Sequence, residues 1–255
     1  MGVSLSQVYL RDQGWIERCS SRIRPAPFGI EWACGEGALT GELINRWHEG
    51  LAIDLDHSAL VQCKRRFSEP GWGFIRADLT NYPLPERHQR YPLVGNLPYH
   101  VTGPALISLI SSAHYLRSFQ GMLQWEVAER LSADPGDSEF RGISLLFDRL
   151  GSIEVPFRIP ASAFRPEPAV DSAWIEFTPD SDAEPDPKIQ SFVRRCFRHP
   201  RKTLINNLAD RTENKQRWRS WMNEQDWDSR RRPQSLTVND LEVLYSAWMK
   251  HNELS

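Results

Sequence analysis

Four short apolar runs in the N-terminal half each end in a glycine, an acid or an amide, and this repetition restricts the fold more than any other feature. Tyr91–Val94 reads as a short buried strand that runs straight into Gly95-Asn96-Leu97-Pro98-Tyr99, and a helical pattern follows from Gly103 to about Ala113. Phe28–Ala33 reads as a strand followed by the turn Cys34-Gly35-Glu36-Gly37 and a helix from Ala38 to Ile44. Leu51–Asp56 is a strand ending in acids, and Gly73–Ala77 is another that ends at Asp78. Strand, turn and helix in succession build a doubly wound α/β sheet, whose ligands bind outside the C-terminal ends of the strands. Glycine, Asp54, Asp78 and Asn96 then fall on one edge.

Each of these residues supports two readings. Gly35 and Gly37 permit positive φ and a close backbone approach to a ligand, or simply make a tight turn. The helix after them exposes N–H groups suited to a carboxylate or phosphate. Asp54 lies 19 residues after Gly35, near the separation expected of an acid that binds ribose hydroxyls. The alternative is a helix cap; Asp56 suits that role for a helix from His57 to Phe67. Asp78 could accept from an adenine amine. Pro98 fixes its own φ and biases Leu97 away from the helical region, so nearby carbonyls can face a ligand. Asn96 offers an acceptor and two donors, and Tyr99 a flat face and a hydroxyl. Together they could hold a flat base with an exocyclic amine, or form a strand-to-helix turn over a buried Tyr.

Ser6–Leu10 is a short apolar knot before a helix expected over Asp12–Ile23. Later elements are a strand over Phe119–Leu123, a helix from Trp125 to Leu131, a helix over Gly142–Leu150, and strands over Ile153–Ile159 and Asp171–Phe177. Between the last two, Pro160–Pro168 carries three prolines and reads as a stiff, extended loop that either presents Phe164 or buries it as an anchor. The stretch Glu176–Asp186 is acidic and marks a domain boundary.

The formal net charge of −2 hides an asymmetry. Between residues 188 and 232 lie 13 Lys or Arg and five Asp or Glu, so this segment carries about +8 and the remainder about −10. Arg194, Arg195, Arg198, Arg201 and Lys202 head the basic region, with Trp218, Trp221 and Trp227 as core or contact surface. Such helices suit phosphate contacts on structured RNA, or present a solvated face. Cys19, Cys34, Cys63 and Cys196 include no CxxC pair, which suggests reduced thiols in a cytoplasm and neither a disulfide framework nor a metal site. No apolar run approaches the roughly 18 residues of a membrane span.

Six stretches in order resemble the rRNA adenine dimethyltransferase family: Glu31–Thr40 (EWACGEGALT), Ile53–Asp56 (IDLD), Gly95–Tyr99 (GNLPY), Met122–Leu131 (MLQWEVAERL), Ser162–Ser172 (SAFRPEPAVDS) and Arg201–Leu208 (RKTLINNL). GNLPY and the RKT stretch look more like the small-subunit branch than the macrolide-resistance branch. The resemblance implies a Rossmann-like class I methyltransferase domain with a mixed, mostly parallel sheet over residues 1–179, and a small all-helical RNA-binding domain over 180–255. It implies S-adenosylmethionine as cofactor and N6,N6-dimethylation of small-subunit ribosomal RNA by a cytoplasmic monomer during ribosome assembly. Carried over, Val8, Leu10, Ala33, Gly35, Asp54, Asp78 and Asn96 would line the cofactor. Asn96 with the Leu97–Pro98 backbone would hold the adenine amine, and Tyr99 and Phe164 would stack on the ring. The family usually has Asn at the position of Val8, Phe at Tyr9, Gly at Ala33, Pro at Cys34 and Lys at Trp125. These departures keep open a second function, a non-catalytic nucleic-acid-binding relative.

Overall fold

The computed structural model describes residues 8–209 and 212–253. Its strands are β1 (Tyr9–Leu10), β2 (Ala26–Trp32), β3 (Trp47–Asp54), β4 (Trp72–Arg76), β5 (Tyr91–Asn96), β6 (Leu116–Gln124), β7 (Gly151–Ile159), β8 (Phe164–Arg165) and β9 (Ser172–Pro179). Seven of them form one sheet in the order β4-β3-β2-β5-β6-β9-β7. The first five in that order are parallel, and β9 and β7 are antiparallel additions. Ile30, Trp32, Leu93 and Val94 at the sheet centre are fully buried, as expected of strands covered on both faces. The strand order reverses between β2 and β5, and such a switch point is where a doubly wound sheet binds ligands.

The helices beside this sheet follow local signals. Asp12 caps α1 (Gln13–Ser21) by accepting from Trp15 N–H. Asp56 caps α3 (His57–Arg66) by accepting from the N–H groups of Ser58 and Ala59, the role expected for it. After GNLPY, a short 3-10 turn over Tyr99–Val101 leads into α4 (Thr102–Ser111). The helix expected over Ala38–Ile44 shrinks to one turn, α2 (Thr40–Leu43). The preceding residues are turned back on themselves, with Gly37 N–H donating to Cys34 O at 2.9 Å, so no long helix N-terminus faces the edge.

Pro160–Pro168 also differs from the extended loop expected. Ala161–Ala163 makes a 3-10 turn, and β8 pairs antiparallel with β1, Leu10 opposite Phe164. Phe164 is 1% exposed, in a core with Leu10, Ile16, Val94, Met122 and Trp174. It is an anchor and not a presented ring.

By packing, the chain forms two compact units: residues 1–128 with 151–184, and 129–150 with 185–255. A single cut after residue 179 misses the excursion, because α6 (Gly142–Leu150) belongs with the C-terminal helices. Those helices are α7 (Pro187–Cys196), α8 (Leu204–Leu208), α9 (Thr212–Glu224) and α10 (Val238–Glu253), and α5 (Trp125–Leu131) carries the chain from the first unit into the second. Leu146, Phe147 and Leu150 of α6 are buried at helical spacing, and Arg149 Nε donates to Glu242 Oε1 on α10 at 2.7 Å. Phe192 of α7 packs against Tyr245 and Trp248 of α10, with ring centroids 5.3 and 5.0 Å apart.

Candidate active site

The ends of β2, β3 and β5 converge on one pocket, lined among others by Val8, Leu10, Ala33, Gly35, Asp54, Asn96 and Pro98. Six of the seven residues expected to hold the cofactor are thus brought together. Asp78, two residues past β4, is not in this lining. Its carboxylate accepts from Thr80 N–H at 2.9 Å and Thr80 Oγ1–H at 2.7 Å, bonds that hold it below the usual carboxylate range. It organises its own turn.

The wall of the pocket is built from the turn after β2. Gly35 has φ +55°, and its N–H donates to Asp54 Oδ2 at 2.8 Å. The other carboxylate oxygen, Oδ1, accepts Asp56 N–H at 2.8 Å. Burial pushes the Asp54 carboxyl up, and backbone hydrogen bonds from Asp56, Gly35 and Leu55 oppose that shift. A carboxylate offers about four lone-pair sites, which leaves room for a further donor such as a hydroxyl. Ala33 also has positive φ, +54°, at the position where the family usually has glycine.

Glu31 is a pocket residue absent from those expected on sequence. It lines the pocket, is 2% exposed, and accepts from Thr40 Oγ1–H at 2.6 Å. Burial drives its carboxyl well above the usual range, against the hydrogen bond from Thr40. The available signal was an acid inside the apolar run Phe28–Ala33. Tyr9 was also undervalued. An added Cβ on Gly35 would meet the Tyr9 ring at 2.8 Å, so that ring lies against the turn. Arg11 sits over the same ring at 5.4 Å and pairs with Glu36 at 2.8 Å. Tyr9 also lines the pocket, whose cavity volume is about 40 Å³. Burial, then Asp56, Asp54 and Glu36, push the Tyr9 hydroxyl up to about 12.

The GNLPY stretch frames the opposite side. Asn96 Nδ2 donates to Val8 O at 3.2 Å, which leaves Oδ1 with no donor among the described residues. Pro98 O accepts from Val101 N–H at 3.1 Å and Thr102 Oγ1–H at 3.2 Å, so it is committed to the helix start. Leu97 O accepts no hydrogen bond among the described residues, and its side chain is buried. The backbone acceptor expected of Leu97–Pro98 is therefore Leu97 O alone. The Tyr99 and Ser172 hydroxyls are 2.8 Å apart, which fixes the half-buried ring; burial raises the Tyr99 hydroxyl. The residues fit a cofactor that carries hydroxyls and positive charge: two buried carboxylates share the pocket, and a close-approach glycine turn forms its wall.

In the second unit, Arg194, Arg198, Arg201 and Lys202 are exposed and form no ion pair among the described residues. Arg195 differs from the other expected RNA contacts, because it is half-buried and donates to Leu208 O at 2.8 Å, tying α7 to the end of α8. Arg201 and Lys202 precede α8, whose N-cap is Thr203. Trp218 is core, and Trp221 and Trp227 follow it edge-on at centroid distances of 5.6 and 5.4 Å.

This sheet order, with an edge pocket at the switch point, is that of the Rossmann-like methyltransferase fold. The fold resembles that of a dimethyladenosine transferase from Plasmodium falciparum, with a TM-score of 0.77 at 21% identity over 94% of this chain and 97% of that one. It also resembles the 23S rRNA methyltransferase ErmE, with a TM-score of 0.70 at 20% identity over 93% and 98%. The family model for ribosomal RNA adenine dimethylase matches residues 2–237. The ribosomal RNA small subunit methyltransferase A of Levilactobacillus brevis is 34% identical over 241 residues, 88% of this chain and 80% of that protein. The protein of the same name from Prosthecochloris aestuarii is 29% identical over 250 residues, 95% and 92%. The chain belongs to the ribosomal RNA adenine dimethylase family.

Proposed function

We propose that this protein dimethylates N6 of adenine in small-subunit ribosomal RNA, acting on a subunit assembly intermediate as a cytoplasmic monomer. The observation that carries this reading is Asn96, which lines the pocket with its Nδ2 held by Val8 O and its Oδ1 without a donor among the described residues, next to Leu97, whose carbonyl also accepts no hydrogen bond among them. An exocyclic amine is a poor nucleophile while its lone pair is delocalised into the ring. Two acceptors that take its two hydrogens turn that lone pair toward the pocket, and they favour the positive charge that grows on nitrogen. Tyr99 offers a ring fixed through Ser172 for an unstacked base. Phe164 supports the site from the core beneath.

S-adenosylmethionine supplies an electrophilic methyl group when bound. Asp54 would hold its ribose hydroxyls, and Glu31 would face its positive charge. The backbone of Ala33 and Gly35 would lie along it. Asp78, with its carboxylate committed to Thr80, would contribute through the shape of its turn. The exposed cations of the helical unit would track rRNA phosphates. A pure nucleic-acid binder has no use for the open acceptors, which is why the enzymatic reading is preferred.

The test is methyl transfer from labelled S-adenosylmethionine to small subunits lacking the modification, followed by nucleoside analysis of the RNA. N6,N6-dimethyladenosine is the expected product. Tight RNA binding without label transfer would favour the binder.

A further inference from the structure

The rim of the site beside Tyr99 carries an arginine that is held in place with its fork left open. Arg158 lies near the end of β7, where it stands opposite Ala173 and Ile159 stands opposite Ser172. Its Nε donates to Asp171 Oδ2 at 2.8 Å, and its guanidinium carbon lies 4.7 Å from the centroid of the Trp125 ring. Asp171 is itself fixed, because Oδ1 accepts Ala161 N–H at 2.9 Å and its backbone carbonyl accepts Trp125 N–H at 2.9 Å. The guanidinium is thus anchored through Nε and backed by an aromatic face. Neither Nη group donates a hydrogen bond among the described residues, and the side chain is 53% exposed. Trp125 stands where the family usually has Lys, so this chain has a ring that steadies a neighbouring cation in place of a mobile cation.

The same few residues lead to the ring that would receive the base. Ser172 follows Asp171, and its hydroxyl lies 2.8 Å from that of Tyr99. Gln124, which precedes Trp125, stands opposite Ser172 where β6 pairs with β9. Tyr99, Trp125 and Arg158 therefore occupy the same end of the sheet, on neighbouring strands. An ion pair this exposed contributes little to stability. A guanidinium does present its Nη groups as a planar fork matched to the oxygens of a phosphate or carboxylate. Restraining it beforehand reduces the freedom lost when an anion docks. A base held against Tyr99 brings its sugar–phosphate strand to this rim, which selects the phosphate.

We propose that Arg158 is a phosphate-binding residue of the first unit, its fork gripping a backbone phosphate beside the target adenine, with Asp171 and Trp125 as positioning residues. This assignment rests on the RNA reading given above. The cations of the helical unit supply affinity along the RNA, whereas Arg158 sets which nucleotide reaches Tyr99.

The experiment compares wild type, Arg158→Gln and Arg158→Lys in binding unmodified small-subunit rRNA over a range of salt. Ethylation interference on the end-labelled rRNA then locates phosphate contacts relative to the adenines that wild type methylates. Arg158→Gln should weaken binding roughly 10- to 100-fold, the scale for losing hydrogen bonds to a charged group. Its slope of log affinity against log salt should flatten by about 0.7–0.9, the value for one phosphate contact. Interference at one phosphate beside the methylated adenine should disappear. Arg158→Lys should restore the slope but not the affinity, because an ammonium keeps the charge without the fork. Melting temperature and S-adenosylmethionine affinity should hold in both variants, since Arg158 is outside the pocket lining. Unchanged affinity and slope in Arg158→Gln make the Arg158–Asp171 pair a structural tie and overturn the proposal. So does interference lost only at a phosphate distant from the methylated adenine. If Arg158→Gln is unstable, the wild-type interference map decides, and no contact beside that adenine overturns the proposal. Wild type that binds rRNA without methylating it overturns the enzymatic reading and the placement beside a target adenine, while the slope still decides the phosphate contact.

Discussion

Gly35 and Asp54, 19 residues apart in the chain, are joined by a 2.8 Å bond from the glycine amide to a buried carboxylate oxygen. With the Asp56 amide on its other oxygen, Asp54 ties the ends of two neighbouring strands into one wall. An acid in this position has two duties, to shape the turn and to receive hydroxyls. Asp54→Ala should therefore cost stability as well as affinity. Chemical denaturation without cofactor should show a loss of about 1–3 kcal/mol, the scale for stranding buried donors of a charged acceptor. S-adenosylmethionine affinity should fall by a similar amount. A variant with wild-type unfolding and weak binding would confine Asp54 to ligand contact.

Glu31 provides a pH signature. Its folded-state carboxyl lies well above the ordinary 4.5, chiefly through burial. A group shifted in this direction contributes stability that is fully present below the unfolded value. That stability is lost as pH rises through the folded value. Glu31→Gln keeps an acceptor for the Thr40 hydroxyl and removes the charge. Without cofactor, its melting temperature should match wild type near pH 4 and exceed it increasingly toward pH 8. Parallel melting curves across that range would show that Glu31 is not the group responsible. Affinity for the positively charged cofactor should fall in the same variant.

Asn96→Ala removes an acceptor that develops its full value only as charge grows on the amine. Methyl transfer should drop by roughly 10²–10³-fold, the usual loss for one such preorganised group. RNA affinity, measured by filter binding, should be unchanged, because the exposed cations lie in the other unit. Equal losses in both assays would mean that the amide holds structure and not substrate.

The strand ends were legible because a parallel sheet punctuates its own sequence. Each buried run had to stop at a turn, and Gly35, Asp54 and Asn96 stand at those stops. Asp56 was readable as a cap, since its hydrogen bonds are local. What long-range packing decides was not readable. Phe164 packs in a core with Leu10, Ile16, Val94 and Met122, all distant from it in sequence. Arg195 looks like its exposed neighbours until α8 brings Leu208 O to it. Residues 129–150 precede three strands of the first unit, β7, β8 and β9, so no linear cut could assign them. Glu31 hid as one polar letter in an apolar strand.

The helical unit can be tested by salt dependence. Arg198, Arg201 and Lys202 are exposed and without ion pairs among the described residues. Replacing all three with Gln should flatten the slope of log affinity for rRNA against log salt by roughly two to three, at about 0.7–0.9 per phosphate contact. Thermal stability and S-adenosylmethionine affinity should hold. Arg195→Ala should do the reverse, lowering the melting temperature by freeing Leu208 O while moving the salt slope little. A triple variant that melts early with an unchanged slope would instead assign these cations to internal pairing.

Ala33 gives the most direct test of whether this chain departs from its family at a cost. Its φ of +54° is a conformation in which a Cβ crowds the following carbonyl, a penalty of about 1–2 kcal/mol for residues other than glycine. The same methyl group projects from a residue that lines the pocket. Ala33→Gly relieves the crowding but also gives the unfolded chain more freedom, which returns about 0.4–1 kcal/mol. The net expectation is a gain of about 0.5–1 kcal/mol in unfolding free energy. Affinity for S-adenosylmethionine should rise in parallel, because backbone can then approach the cofactor without a side chain between. Val8→Asn, at the other departure, keeps the carbonyl that receives Asn96 Nδ2 and adds a polar group. It should raise affinity without the gain in stability. Calorimetric titration of both variants beside denaturant unfolding separates the two effects. If Ala33→Gly is more stable yet binds no better, the methyl group strains the turn without obstructing the cofactor.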